Sequence, residues 1–250
     1  MSQEANPSGR KSFLRELAGV IIPALLLAVV IQTFLYRPFR IPSESMKPTL
    51  LIGDYLFVSK YSYGYSRYSL PFSPPLFAGR IIGKPPQRGD VAVFKLPIDD
   101  SQDLIKRVIG LPGERIQMRA GVLHINGVPV KLERLEDYVD PEEDPPARIE
   151  RWRETLPNGV AHVILNLENN GPLDDTPEYR VPPGHYFMMG DNRDNSTDSR
   201  VLSEVGYVPF ENFVGRAEII FFSIGNGASA WQIWRWPVDI RWNRLFTWVR

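Results

Sequence analysis

Two serines, Ser43 and Ser45, lie at alternate positions between Pro42 and Pro48. Proline fixes its own φ angle and restricts the residue before it, so we expect the stretch 41–54 to have few backbone conformations. A serine hydroxyl held in such a stretch can act as a nucleophile when a base removes its proton. The same composition also suits an ordinary turn, so the choice depends on whether the chain supplies a base.

Lys106 is the candidate base, because it lies inside the apolar segment 104–109. Alternation along a strand places its side chain on the same face as Leu104 and Val108. An ammonium group in apolar surroundings loses hydration, and its pKa falls. The competing interpretation is a lysine that reaches the sheet edge or pairs with a carboxylate. Four other lysines are less suitable, because they are close to Ser45 in sequence or lie in turn-like segments expected to be exposed: Lys47, Lys60, Lys84 and Lys131.

A polar cluster at 190–200 could support these groups. It reads Gly-Asp-Asn-Arg-Asp-Asn-Ser-Thr-Asp-Ser-Arg and follows an apolar segment. It does not fit a calcium loop, since one register places an arginine at a ligand position and the other lacks the central glycine. We therefore expect ion pairs, Asp198 with Arg200 and Asp191 with Arg107.

The first element that must position this chemistry is a membrane span. Residues 17–36 form an uncharged run of twenty residues bracketed by Glu16 and Arg37. At about 1.5 Å per residue, such a helix spans roughly 30 Å, the thickness of the hydrocarbon core of a bilayer. The sequence predicts a transmembrane helix over 17–36 after a cytoplasmic tail over 1–16. A cleavable export signal is disfavoured, because the run is too long and no small-x-small site closes it.

The charges that flank the span do not decide its orientation, since Lys and Arg are equally frequent near its two ends. A long carboxy-terminal domain can be translocated largely regardless of its charge, whereas the amino-terminal tail is short. We therefore expect the amino terminus inside the cell and the domain outside.

The remaining sequence predicts a mainly β fold. Short β-branched or aromatic segments bounded by Gly and Pro indicate strands, and Asn126-Gly127 indicates a tight hairpin. The strands are expected at 55–59, 91–96, 104–111, 122–125, 128–132, 161–168, 185–189 and 215–224. An extended hairpin or loop is expected at 60–89, and the acidic, proline-rich segment 133–157 is expected to be a solvated loop.

Composition limits the possible functions. The chain has 250 residues, 43% of them hydrophobic, and its 29 basic and 29 acidic side chains cancel. It therefore lacks the excess of positive charge typical of proteins that bind nucleic acid. The absence of cysteine excludes disulfides and thiolate metal sites, and the three histidines are too far apart in sequence to predict a zinc site. We expect neither a metal nor a cofactor.

The last twenty residues contain five of the six tryptophans, interleaved with arginines. Aromatic and cationic side chains together suit the headgroup region of a membrane. The alternative is a segment that packs its tryptophans onto the sheet, and the sequence favours neither. The residues are Trp231, Trp234, Trp236, Trp242 and Trp248, with Arg235, Arg241, Arg244 and Arg250.

Four segments together resemble the bacterial type I signal peptidases, which are membrane-anchored serine proteases with a Ser-Lys dyad. They read Ile41-Pro-Ser-x-Ser-Met-x-Pro-Thr-Leu50, Arg88-Gly-Asp-Val-x-Val-Phe94, Ile105-Lys-Arg-x-x-Gly-x-Pro-Gly113 and Gly190-Asp-Asn-Arg-x-x-Ser-x-Asp-Ser-Arg200. They occur in the family's order after an apolar anchor and span residues 38–200. Leu104 departs from the family, which often has an aromatic residue there.

The resemblance implies a role for each site residue. Ser45 would be the nucleophile and Lys106 the general base, while Ser43 and the Ser45 backbone N–H would form the oxyanion hole. Ser196 would orient the lysine amine. The supporting ion pairs would be formed by Asp191, Arg107, Asp198 and Arg200. Shallow apolar pockets for the small residues one and three places before the cut, the A-x-A pattern, would be lined by Phe39, Ile41, Leu56, Val93 and Ile105.

The resemblance also implies architecture and location. Residues 37–114 and 184–250 would form an antiparallel, partly open barrel that carries catalysis, and 115–183 a smaller inserted β domain. The protein would lie in the bacterial inner (plasma) membrane and remove signal peptides from exported pre-proteins on the extracytoplasmic side. The substrate segment would bind as an added strand.

Two other functions remain compatible with the residues. A serine hydrolase could use His185 and Asp191 in a Ser-His-Asp arrangement. A catalytically silent, membrane-tethered β domain could bind exported chains without cutting them. Replacement of His185, Lys106 or Ser45 separates these possibilities.

Overall fold

The computed structural model describes residues 7–70, 72–140, 146, 148–168, 170–225 and 227–250. Its helices are α1 (Pro7–Phe34) and α2 (Trp236–Asp239), with short 3-10 helices at Arg67–Ser69, Phe210–Asn212, Ile233–Arg235 and Trp242–Arg244. The strands are β1 (Tyr36–Arg40), β2 (Asp54–Ser59), β3 (Val91–Leu96), β4 (Asp99–Gly110), β5 (Arg115–Arg119), β6 (Val122–Ile125), β7 (Val128–Pro129), β8 (Lys131–Arg134), β9 (Tyr138–Val139), β10 (Arg148–Thr155), β11 (Ala161–Asn166), β12 (Tyr179–Arg180), β13 (His185–Met189), β14 (Val208–Pro209), β15 (Phe213–Ser223) and β16 (Thr247–Trp248).

The main sheet is antiparallel and carries the candidate site. Its strands follow the order β1-β2-β15-β3-β4-β13-β14, and β16 also pairs with β15. An apolar cluster under β2, β3, β4 and β15 includes Leu56, Val93, Ile105 and Ile220. The mainly β prediction is confirmed, and β3, β6 and β13 have the predicted bounds.

Two smaller antiparallel sheets lie between β4 and β13 in the chain. One has the order β12-β5-β6-β7, and the other the order β11-β10-β8, with β9 also pairing with β10. A second apolar cluster joins the first of these sheets to β13 through Ile116, Leu123, Tyr179 and Phe187. The inserted sheets are therefore packed onto the main sheet.

Helix α1 is long and apolar enough to cross a membrane. Its part Arg15–Phe34 has 20 residues and a mean hydropathy of 2.4. Apolar side chains such as Leu25 and Leu26 are about 60% exposed in the isolated chain. This is the surface that a lipid environment would cover.

The helix differs from the predicted span at both ends. Residues 7–16, predicted as part of the tail, are helical, while 1–6 lie outside the described residues. The helix ends at Phe34, and Tyr36 begins β1, where it pairs with Ser59 of β2. Pro38 accounts for the early end, because proline disfavours helix in the residue before it and cannot continue one.

The segment 133–157 is more ordered than its composition predicted. Strand β10 pairs with β8 and β11, and its Ile149 is buried. Residues 141–145 and 147 of this segment lie outside the described residues. The prediction of a solvated loop was wrong for β10, because pairing with the neighbouring strands β8, β9 and β11 orders a segment whose acidic, proline-rich composition indicated a loop.

Candidate active site

Ser45 and Lys106 are in direct contact. Ser45 lies on the loop between β1 and β2, and Lys106 lies on β4 with its Nζ 2.7 Å from Ser45 Oγ. Lys106 Nζ also contacts the Ile105 carbonyl oxygen at 3.1 Å. Lys106 is 3% exposed and Ser45 8%, so the pair is almost fully desolvated. A base within hydrogen-bond reach can take the serine proton.

The environment of Lys106 favours its neutral form. Burial lowers the pKa of Lys106 to about 8, although the carboxylates of Asp198 and Asp191 act in the opposite direction and raise it. The desolvation of the ammonium group outweighs this attraction. The amine is therefore neutral at a mildly alkaline pH, as a general base requires.

Two hydrogen-bond donors lie beside the nucleophile. Ser43 is exposed, and its Oγ is 3.4 Å from Ser45 Oγ. Among the described residues, the backbone N–H of Ser45 donates to no protein acceptor. Both donors are thus available to an oxygen that develops negative charge next to Ser45.

Ser196 lies against the Ser45 main chain. Its Oγ donates to Asp198 Oδ2 at 2.8 Å, and Asp198 pairs with Arg200 at 2.8 Å. No hydrogen bond joins Ser196 to Lys106 in the part of the chain that the structure describes, so the orientation of the amine by Ser196 stays a prediction. Burial opposes ionisation of Asp198, but Arg200 holds the pKa of its carboxyl below the usual value.

Gly190 allows Ser196 and the Ser45 main chain to lie close together, because it has no side chain. A Cβ at this position would lie 2.2 Å from Ser196 Oγ and 2.4 Å from the Ser45 carbonyl oxygen. Real Cβ atoms do not approach other atoms so closely, so any side chain at 190 would displace one of the two serines.

Arg107 and Asp191 form a buried bidentate pair behind the site. Arg107 Nε donates to Asp191 Oδ1 at 2.8 Å and Nη2 to Oδ2 at 2.6 Å, and Thr49 also donates to Oδ2. Burial opposes ionisation of Asp191, but Arg107 keeps the pKa of its carboxyl below the usual value. The neighbouring Asn192 N–H donates to the Ser45 carbonyl at 3.1 Å. The pair thus ties β4 to the segment that holds the serine loop.

Sequence reasoning missed an ion pair between the serine loop and the inserted sheets. Lys47, only 4% exposed, places Nζ 2.5 Å from Asp140 Oδ2 and 2.8 Å from Glu44 Oε1. Burial opposes the charge on Lys47, but hydrogen bonds from its ammonium to Asp140 and Glu44 raise its pKa above the usual value. The sequence contained no signal for this pair, since Lys47 and Asp140 are 93 residues apart.

A second contact from the inserted sheets was also missed. Arg193 pairs with the fully buried Glu154 of β10 at 2.6 Å, and His162 of β11 lies 3.3 Å from the same carboxylate oxygen. The Leu165 N–H donates to the Asp191 carbonyl at 2.9 Å, and the Arg193 N–H to the Leu165 carbonyl at 3.0 Å. These contacts therefore fix the segment 191–193 against the inserted sheets.

The carboxy-terminal segment holds the end of the serine loop. Arg244 pairs with the buried Asp54 and donates to the Thr49 carbonyl at 3.0 Å, while Arg241 donates to the Ile52 carbonyl at 3.0 Å. The arginines of this segment were considered as contacts for lipid headgroups, but these two contact the loop.

The five predicted substrate-binding residues come together. Ile41, Leu56, Val93 and Ile105 belong to one buried apolar cluster, and Phe39 packs against it. None of the four is more than 8% exposed, so a substrate side chain would meet the surface of this cluster and Phe39.

His185 does not reach the predicted partners. Its Nδ1 contacts the Pro183 carbonyl at 2.9 Å, and its strand position pairs with Pro209. The carboxylate of Asp191 is instead occupied by Arg107 and Thr49. The Ser-His-Asp arrangement is therefore not formed.

Comparisons with known proteins agree with the four sequence segments. A family model described as signal peptidase, peptidase S26, matches residues 14–222. Signal peptidase I of Rickettsia typhi is 41% identical over 226 residues, covering 87% of this chain and 83% of that protein. Signal peptidase I of Rickettsia massiliae is 40% identical over 245 residues, covering 91% and 90%. A crystal structure of a signal peptidase I from Enterococcus faecalis is 33% identical and covers 53% of this chain and 97% of its own, with a TM-score of 0.32.

Proposed function

Because the chain belongs to the signal peptidase family, peptidase S26, we propose that it removes signal peptides from exported pre-proteins by attack of Ser45, with Lys106 as general base. The observation that carries this proposal is the 2.7 Å contact between Lys106 Nζ and Ser45 Oγ in a desolvated site. Membership of the family already makes the protein a peptidase, and the dyad is the mechanism that the geometry supports best.

In the first step, neutral Lys106 accepts the hydroxyl proton of Ser45 while Ser45 Oγ attacks the scissile carbonyl. The resulting ammonium donates a proton to the leaving amine, and an acyl-enzyme on Ser45 remains. The neutral amine then activates a water molecule that hydrolyses the ester. One lysine thus acts as base and acid in turn.

The developing oxyanion would be held by Ser43 Oγ–H and the Ser45 backbone N–H. Removal of one such donor costs about 3 kcal/mol of transition-state stabilisation. Ser196 would orient the Lys106 amine from its position beside Asp198. The buried pair Arg107–Asp191 holds the segment 190–200 against β4, and the pair Asp198–Arg200 fixes the conformation of that segment.

Two strand edges support binding of the substrate as an added strand. β1 is at the end of the main sheet, and β4 pairs with β13 only from Arg107 onward. Backbone groups on these edges can bond an extended peptide, and side chains at alternate positions would face the apolar cluster at Ile41 and Ile105. This arrangement fits small residues one and three places before the cut.

The family and helix α1 indicate a membrane-anchored protein. We place it in the bacterial inner (plasma) membrane with α1 as a single span, the amino terminus in the cytoplasm and the sheets outside. Substrate and enzyme would then be tethered to the same bilayer, which raises their effective concentration.

The tryptophan-rich segment would add a second contact with lipid. Trp231, Trp234, Trp242 and Trp248 are each more than 60% exposed, whereas Trp236 packs on Phe222. Trp248 also lines an apolar groove with Ile31 of α1, so this surface is continuous with the span.

Replacement of either dyad residue tests the proposal. In the full-length protein, Ser45→Ala and Lys106→Ala should each lower cleavage of a signal-bearing pre-protein by about a thousandfold or more, because the two groups act as a unit. His185→Ala is the matched control and should cleave at the wild-type rate. Loss of activity in His185→Ala with retention in Lys106→Ala would overturn the dyad.

A cell-based assay separates the peptidase from a silent binder of exported chains. Depletion of the protein should cause uncleaved precursors to accumulate. Wild-type protein should restore processing, and Ser45→Ala should not. Equal restoration by Ser45→Ala would show that binding, and not cleavage, is the function.

A further inference from the structure

A cavity of about 560 Å³ lies where α1 meets the main sheet. Gln32 and Thr33, in the last turn of α1, form one wall, and Arg37, Lys60 and Lys95 contribute from β1, the residue after β2, and β3. The volume is in the range of small-ligand sites. Neither the dyad nor the five predicted substrate-binding residues line it.

The cavity has an excess of positive charge. Asp103 is the carboxylate nearest these cations, 3.0 Å from Lys95 Nζ and 3.8 Å from Arg37 Nη2. Among the described residues, no carboxylate forms an ion pair with Lys60. Three cations thus share one carboxylate at this place.

The burial of Lys60 distinguishes this cavity from an ordinary patch of basic residues on the surface. The sequence predicted an exposed lysine, but the structure leaves it 3% exposed, because the chain that follows folds back over it. Its Nζ donates one hydrogen bond, to the Ser69 carbonyl at 2.5 Å. An ammonium group has three N–H donors, so donors remain for a bound anion. Burial, followed by the charge of Arg37, lowers the pKa of Lys60 to about 8, and the attraction of Asp103 only partly offsets them.

We propose that this cavity binds the phosphate-bearing headgroup of an anionic phospholipid. The inference rests on the part of the proposed function that places α1 in a bilayer. A helix of twenty residues spans roughly 30 Å, so its last turn reaches the level of the lipid phosphates. Cationic side chains at that level attract anionic lipids, and the buried Lys60 donates to the phosphate oxygens.

Native mass spectrometry of the full-length protein released from nanodiscs tests the site. The nanodiscs contain equal amounts of phosphatidylglycerol and phosphatidylcholine. Wild type should retain phosphatidylglycerol several-fold more than phosphatidylcholine, and Lys60→Gln and Lys95→Gln should lose this preference. Lys84→Gln, which removes an exposed charge outside the cavity, is the matched control and should keep it. If Lys60→Gln does not fold, the loss of preference in Lys95→Gln still tests the proposal.

Three outcomes overturn the proposal directly, and a fourth overturns its premise. An equal preference in all variants would show that the cavity does not select the headgroup. Displacement of the lipid by millimolar inorganic phosphate would identify a free-phosphate site. A raised KM for a pre-protein in Lys60→Gln, measured in detergent without anionic lipid, would assign the cavity to the exported chain. Failure of the protein to enter nanodiscs would instead overturn the membrane anchoring on which the inference rests.

Discussion

Two opposing effects act on the pKa of the buried Lys106. The loss of hydration lowers it, and the attraction of two nearby carboxylates raises it. Both carboxylates are themselves neutralised by arginines, Asp198 by Arg200 and Asp191 by Arg107. Their influence on the amine is therefore weakened, and burial dominates. The same ion pairs that shape the site thus limit how far the two carboxylates can raise the pKa of the lysine.

The pH dependence of cleavage follows from this balance. Activity should rise with pH and level off above an apparent pKa of about 8, because the ammonium loses its proton as the pH rises through that value and only the neutral amine can accept the Ser45 proton. The measurement is kcat/KM for a pre-protein between about pH 6 and pH 10.

Lys60→Gln is the control for this profile, because the pKa of Lys60 is also lowered to about 8 but its Nζ contacts Ser69 and not Ser45. The inflection should stay at the same pH in this variant. A flat profile in the wild type, or an inflection that moves in Lys60→Gln, contradicts the assignment to Lys106.

At the scale of elements, the serine loop between β1 and β2 is fixed from three directions. Lys47 reaches Asp140 of the inserted sheets, the Ser45 carbonyl accepts from Asn192, and Asp54 pairs with Arg244 of the carboxy-terminal segment. A loop would otherwise be among the more mobile parts of a fold. Its rigidity is therefore a property of the whole tertiary structure as well as of its prolines.

Arg244→Gln should loosen this loop. The buried Asp54 would keep its bonds from Ser223 and the Leu51 N–H but lose its main cationic partner, and loss of one member of a buried pair costs about 3 kcal/mol. We expect a lower Tm by thermal unfolding and a lower kcat. Arg180→Gln, an exposed arginine on β12, should change neither. If the two variants have the same Tm, the carboxy-terminal contact does not stabilise the loop.

The sequence predicted the parts of this arrangement that are local. Short apolar, β-branched or aromatic segments located β3, β6 and β13, and the motifs around Ser45 and Lys106 predicted two residues that the fold brings into contact. It did not predict β10, because the acidic, proline-rich composition indicated a loop. It did not predict the burial of Lys47 and Lys60 either, because these depend on partners about ten to a hundred residues away. Charged side chains indicate exposure by their type, and only the tertiary structure shows which of them find a buried partner.

At the scale of the whole molecule, α1, the headgroup cavity and the tryptophan-rich segment would face the same bilayer. In nanodiscs with brominated lipid, a quencher confined to the membrane, the fluorescence of the exposed tryptophans should be strongly quenched. Trp231→Phe and Trp234→Phe should each reduce the quenched fraction. Trp152→Phe, on β10 outside this segment, should instead raise the quenched fraction slightly, because it removes an unquenched fluorophore. Equal quenching in all variants would mean that the segment does not enter the lipid.

The ion pair between Lys47 and Asp140 affects whether the inserted sheets can be deleted from this protein. The two inserted sheets are formed within one continuous stretch, 115–183, which looks like a module that could be deleted to obtain a minimal enzyme. Deletion would remove Asp140 and Glu154 together and leave two cations, Lys47 and Arg193, without their buried carboxylates next to the serine loop. We expect a shortened version to be more stable with neutral residues at both positions, wherever the remaining fold keeps them buried.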